Sequence, residues 1–278
     1  MSFVREGRGH REAGVAGLTP GSDPGSDPMR TLKLTLQYDG TDFVGWQRQP
    51  EGISIQGLLE DALSAFEGGP VTVHGAGRTD AGVHALAQVA SVALTAAHDV
   101  AAIQRGLNVA LPPTVRILEI VDMPGSFHAR FDAVAKVYEY RIVNAAFVSP
   151  FLFRYAWHVP WRLDLHAMRE AADVLVGSHD FEAFQGTGAN VATTRRTIHR
   201  VDWEEGDGAT RPLVMRLEGD GFLRHMVRNI AGTLVEIGAG RWPPSRMAEI
   251  LASRDRRQAG RAAPACGLFL IGVRYPEP

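Results

Sequence analysis

The apolar residues of this chain change their spacing again and again, and that change narrows the possible folds more than any other feature. Leu32, Leu34, Leu36 and Tyr38 alternate with Lys33, Thr35 and Gln37, the period of a strand with one buried face. Asp39-Gly40 then marks a turn. Ser54 stands as a helix N-cap ahead of Ile55, Leu58, Leu59, Ala62, Leu63 and Phe66, which share one helical face. Val71 to Val73 and Ala87 to Leu94 read as strands around a glycine-rich loop. Asp99 to Val109 reads as a helix stopped by Leu111-Pro112-Pro113, and Val115 to Val121 as a strand. The second half mixes elements in the same way. Val137 to Val143 is a strand, with Tyr138, Tyr140 and Ile142 on one face. Asp164 caps a helix carrying Leu165, Met168, Ala172, Leu175 and Val176. Arg196 to Trp203 and Leu213 to Leu217 pair as strands. Phe222, Met226, Ile230, Leu234 and Ile237 form the stripe of a longer helix, and Leu268 to Val273 is a closing strand. The pattern predicts an α/β or mixed α+β fold, with helices covering sheet faces. An N-terminal α/β domain over 30–130 and a C-terminal one over 131–278 are expected. Before them, Thr19 to Pro28 is a Gly/Ser/Asp/Pro run without periodicity, so 1–29 is expected to be a disordered tail.

Composition removes several classes of function. With 278 residues, 45% hydrophobic and 22% charged, the chain can bury a sizeable core in one large or two modest domains. No apolar run reaches the ~20 residues of a membrane span, and the arginine-bearing start has no apolar secretory segment. One cysteine, Cys266, rules out an internal disulfide and a two-cysteine zinc site, and a cytoplasmic location is expected. The formal net charge of −2 confines any nucleic-acid surface to a local patch. From Asn190 to Arg261 there are 13 Arg against 9 Asp or Glu, a modest basic surplus. Of 29 basic residues only Lys33 and Lys136 are lysine, a bias that a GC-rich genome alone can produce.

Familiar cofactor motifs fail. Gly75-Ala-Gly77 opens like a dinucleotide fingerprint, but its third glycine would fall at position 80, which is Asp. Lys33 and Lys136 are followed by Leu34 and Val137, so neither sits in a Walker A loop. No His-Glu-x-x-His occurs, and the ten His are scattered. A reaction without metal or nucleotide cofactor is the expectation.

The most unusual segment is His74-Gly-Ala-Gly-Arg78-Thr-Asp80-Ala-Gly-Val-His84. Its three glycines permit sharp turns and the close approach of a ligand. Read from residues alone, it is either a tight strand connection with a local ion pair or a binding loop. Gly75 through Ala85 resembles, without a break, the catalytic motif of the tRNA pseudouridine synthase A family. Further blocks resemble that family in order. They are Tyr38 to Pro50, Phe127-His-Ala-Arg-Phe131 with Ala135-Lys-Val-Tyr138-Glu-Tyr140, His179-Asp-Phe181, Gly221 to Ile230, and Pro264 to Leu268. The resemblance spans Met29 to Tyr275. It departs at Gly186 to Thr194, which lacks a cysteine common there. Ala259-Gly-Arg-Ala262 also stands for a more usual Ala-Gly-Pro-Thr. Both departures bear on tRNA contacts rather than chemistry.

The resemblance implies the pseudouridine synthase fold: two similar α/β halves, mixed and mainly antiparallel sheets flanked by helices, and a central catalytic cleft. It implies isomerisation of uridine at positions thirty-eight, thirty-nine and forty of the tRNA anticodon stem-loop. Asp80 becomes the catalytic carboxylate, a nucleophile on the sugar or a base removing a sugar proton. Arg228 becomes its ion-pair partner, since a carboxylate in a dry pocket needs one to stay charged. Tyr138 would stack on the uracil and assist loss of the C5 proton, and Leu268 would line the pocket. Arg78 would fill the space left by the flipped base. Phe127, His128, Ala129, Arg130 and Phe131 would face RNA, with His98 a further contact. A homodimer holding tRNA is implied, with no membrane partner. On residues alone Arg228 is also readable as a solvated helix arginine, and Tyr138, Phe127 and Phe131 as core aromatics. Two other classes of function compete: a glycosidase, which needs a second carboxylate and leaves free uracil, and an RNA-binding module without turnover.

Overall fold

Ten strands join in one sheet, and their apolar alternation fixes which face is covered. The structure, a computed structural model, describes residues 29–188, 191–207 and 210–276; the expectation for the tail over 1–28 lies outside them. Strand β1 (Arg30–Tyr38) lies between β3 (His84–Leu94) and β4 (Val115–Met123), antiparallel to both, with Leu32 opposite Val92 and Asp122. Its Leu32, Leu34 and Leu36 are fully buried. Helices α1 (Ile55–Glu67) and α2 (Val100–Ala110) supply Leu59, Leu63, Ile103 and Leu107 to the same core. Ser54 caps α1 by accepting from the Gly57 amide, and Asp99 caps α2 through Ala102. The short strand β2 (Val73–Gly75) pairs with β3, two residues later than the sequence places it.

The second half builds outward from β5 (Ala135–Val143). It pairs with the two-residue β6 (Trp157–His158) and with β9 (Leu213–Gly219), beyond which lie β8 (Arg195–Glu204) and the edge strand β7 (Gly177–Asp180). Helices α3 (Leu165–Asp173), α4 (Met226–Gly238) and α5 (Arg246–Ser253) cover it. Phe222 lies outside α4, contrary to the expected stripe, because His225 adopts a left-handed φ of 59° and starts the helix only at Met226.

The halves meet through β10 (Leu268–Arg274), parallel to β3 and antiparallel to β5. The sheet order is β4-β1-β3-β10-β5-β9-β8-β7, so the fold is mixed α/β with a mixed, mainly antiparallel sheet flanked by helices. Leu268, Phe269 and Leu270 are all buried, each contributing about 1.5–3 kcal/mol by removal from water. No helix among the described residues is long and apolar enough to cross a membrane.

Candidate active site

The glycine-rich segment between β2 and β3 is held from several sides. Gly75 lies against Trp46, whose Cε2 would stand 2.4 Å from any Cβ added there. Trp46 donates its amide to the Thr79 carbonyl at 3.0 Å, and Gly45 forms an isolated antiparallel bridge with Asp80. Gly45 has φ +107°, and a Cβ on it would meet the Thr79 oxygen at 2.6 Å, so a side chain is excluded twice over. The Thr79 hydroxyl shares a hydrogen bond of 2.8 Å with Tyr38, and Gln88 Nε2 donates to the Gly77 carbonyl at 2.8 Å. Burial of the Tyr38 phenol pushes its pKa up to about 12 against the pull of its Thr79 and Gln88 hydrogen bonds. These bonds place the Asp80 carboxylate in a fixed position, with 26% of its side chain exposed.

Two side chains from the start of α4 meet that carboxylate. Arg228 Nη1 lies 3.2 Å from Asp80 Oδ2, and its Nε donates to the Ala263 carbonyl at 2.8 Å. The Ala263 amide in turn donates to the Arg228 carbonyl at 3.0 Å. The guanidinium is therefore aimed by backbone on one side while it pairs with Asp80 on the other. His225 Nε2 lies 3.5 Å from the same Asp80 oxygen. Its ring rests on Gly186, where an added Cβ would come within 2.6 Å of Nδ1. Burial holds its pKa below the ordinary value, the Asp80 charge opposes this, and Arg228, Arg224 and Arg256 reinforce it. The imidazole is neutral at neutral pH. Sequence reasoning gave His225 no role. No periodic signal marks it, because it stands in the left-handed region ahead of the first helical residue, Met226.

Tyr138 comes from β5, opposite Leu270 on one side and Leu217 on the other. It is 7% exposed, and its hydroxyl lies 3.8 Å from the point where a Gly77 Cβ would sit. Burial raises its pKa well above the usual phenol range, and the Tyr38 and Asp80 charges add to that. The hydroxyl keeps its proton at neutral pH. Phe222 packs edge-on to the ring at 5.1 Å. Leu268 opens β10 opposite Tyr140, one diagonal step from Tyr138 on the same face of the sheet, and is buried. Four elements far apart in sequence thus bring Asp80, Arg228, Tyr138 and Leu268 into one region.

The other expected residues divide. Arg78 is exposed on the loop, two residues from Asp80. Phe127 packs on Tyr275 at 5.2 Å. His128 accepts the Arg130 amide on Nδ1 at 3.1 Å, and its ring lies 4.3 Å from Phe131 and 4.9 Å from His74. Phe131 is 74% exposed, with the Arg130 guanidinium 5.6 Å from its centre. Ala129 is fully enclosed. Its amide bonds the Ser91 hydroxyl and its carbonyl the Tyr275 hydroxyl, so it holds the turn. His98 stands apart, edge-on to Phe66 at 5.7 Å, with its carbonyl taken by Arg30.

A family model described as tRNA pseudouridine synthase matches residues 35–132 and 171–276. The chain belongs to that family, whose members are isomerases acting on uridine in tRNA. It is 44% identical over 247 residues to the tRNA pseudouridine synthase A of Syntrophotalea carbinolica, covering 89% of this chain and 97% of the relative. It is 45% identical over 249 residues to the protein of that name from Myxococcus xanthus, covering 90% and 93%.

Proposed function

We propose that the chain converts uridine to pseudouridine at positions thirty-eight, thirty-nine and forty of the tRNA anticodon stem-loop, with Asp80 as the catalytic carboxylate. The carrying observation is the Asp80–Arg228 contact of 3.2 Å beside Tyr138 in the junction between the halves. The reaction breaks the bond from uracil N1 to the sugar C1′, turns the base, and forms a bond from C5 to C1′ with loss of the C5 proton. Arg228 pairs with Asp80 and orients its carboxylate, which either attacks C1′ or removes a sugar proton. The Tyr138 ring stacks on the extruded uracil, and its hydroxyl oxygen assists departure of the C5 proton. Leu268 closes the apolar side. The target base must leave the stack, at a cost of a few kcal/mol, and Arg78 fills the vacated space. Arg130 and Phe131 offer a cation and an open aromatic face to neighbouring nucleotides. Two copies of the chain hold the tRNA.

The test uses tRNA tritiated at uracil C5. Asp80→Asn is expected to release no tritium while still binding tRNA, and the wild-type complex is expected to sediment with two chains. Undiminished release from the variant removes Asp80 from the chemistry. Free uracil with abasic tRNA from the wild type points to a glycosidase instead.

A further inference from the structure

Lys136 is a half-buried cation with no assigned role, and its surroundings call for an anion. It lies on β5 two residues before Tyr138, so both side chains leave the same face of the strand. Both reach the same spot on the catalytic loop. Lys136 Cε stands 3.6 Å, and the Tyr138 hydroxyl 3.8 Å, from the position a Gly77 Cβ would occupy. The lysine stem and the phenol therefore both border the Gly77 backbone.

The charges around it repel it. Burial lowers the Lys136 pKa, and Arg130 and Arg196 lower it further, while Asp220 opposes them. The Asp220 carboxylate is itself engaged by the Thr197 amide at 3.0 Å. Arg196 gives Nη1 to the Thr193 carbonyl at 2.9 Å, and Arg130 lies over Phe131. Among the described residues, no carboxylate forms an ion pair with any of the three cations. The backbone of β8 comes close beside Lys136. Its partner across the β5–β9 ladder is Gly219, and residues directly opposite project to one face. A Cβ at Gly219 would meet the Thr197 carbonyl at 2.6 Å. Beyond it runs β8, with Ile198 opposite Gly219 and Arg196 two residues earlier.

We infer that Lys136, with Arg130 and Arg196, forms a phosphate clamp for the RNA backbone flanking the extruded uridine. The inference rests on the reading of Asp80 as the site of uridine isomerisation, because the clamp stands one side chain away from that loop. Three cations without a counter-ion are unfavourable together, and a phosphodiester bridging them offsets that repulsion. A lysine suits the role because its rotatable ammonium tolerates the varied backbone of an unstacked strand. The exposed Phe131 face, coupled to Arg130, then lies where a neighbouring base can stack.

The experiment compares tRNA affinity across salt concentrations for wild type, Lys136→Met, Lys136→Arg and Arg169→Gln. Lys136→Met keeps the stem against Gly77 and removes the charge. Arg169 pairs with Glu205 on another surface and serves as control. Lys136→Met is expected to weaken binding and to reduce the slope of log affinity against log salt by roughly 0.7 to 0.9, one phosphate contact. Lys136→Arg is expected to retain the slope, as is Arg169→Gln. An unchanged slope in Lys136→Met overturns the clamp, as does an equal reduction in Lys136→Arg, which would make the lysine a packing element. Should Lys136→Met not fold, Arg196→Met reads the same slope. A wild type that binds tRNA with the full slope but makes no pseudouridine fails the reading of Asp80 instead.

Discussion

His84 shows how a buried group ties stability to acidity. It is 1% exposed, accepts the Gly40 amide on Nδ1 at 3.0 Å, and meets the Arg154 carbonyl through Nε2 at 3.1 Å. That pattern requires a neutral ring with its proton on Nε2. Asp39 lies 3.1 Å from Nδ1 and favours the charged form, yet burial is the larger effect and lowers the pKa. An unfolded histidine takes up its proton near pH ~6.5, while the native one resists it. The stability contribution is therefore complete above that pH and is lost as the pH falls through the lower native value. The expected result is a Tm that drops between pH 7 and 5, and drops less steeply in His84→Gln, measured by thermal melts. His225 acts in the same sense, and carboxylates titrate lower still. At this scale, the pairing of Asp80 with Arg228 was legible through motif blocks rather than through pattern, and Tyr138 and Leu268 rest on the same blocks. Trp46, Thr79 and His225 lie in the same blocks but have no role there, because the contacts Trp46–Thr79 and His225–Asp80 link segments far apart in sequence.

At the scale of elements, helix α4 is fixed by a close backbone crossing. Gly232 lies in its interior, where alanine would ordinarily stabilise by about 1 kcal/mol. Here a Cβ would stand 1.8 Å from the Arg261 carbonyl oxygen, a backbone atom that no rotamer change can move. The overpacking cost of about 1–3 kcal/mol outweighs the propensity gain. Gly232→Ala is expected to lower Tm and to reduce tritium release, because the same crossing brings Ala263 to Arg228. A Tm equal to or above wild type contradicts this. The strands with clear alternation and the helices with full stripes were readable in advance. Helix α5 was not, since Met247, Ile250 and Leu251 fill only two turns. Strand β7 is a short, polar and incompletely buried edge without alternation. The start of α4 was misplaced because a left-handed histidine has no periodic signature.

On the scale of the whole molecule, β10 decides whether there is a site at all. Among the described residues it is the only strand in the sheet order that touches both β3 and β5. Removal of 268–276 is expected to leave a chain without a cooperative thermal transition and without tritium release, measured on the purified truncation. A cooperative melt close to the wild-type Tm contradicts this. The mixed fold could be anticipated from alternating periods, but the parallel pairing of β10 with β3 could not, because register between such distant segments is set by tertiary packing. That placement has a bearing on biosynthesis. At about 5–20 residues per second, roughly ten to forty seconds separate translation of Asp80 from that of Arg274. Throughout that interval the nascent polypeptide carries its acid without the strand that joins it to the guanidinium and the phenol. A product interrupted before Leu268 is accordingly expected to release no tritium, so that turnover awaits delivery of β10 by the ribosome.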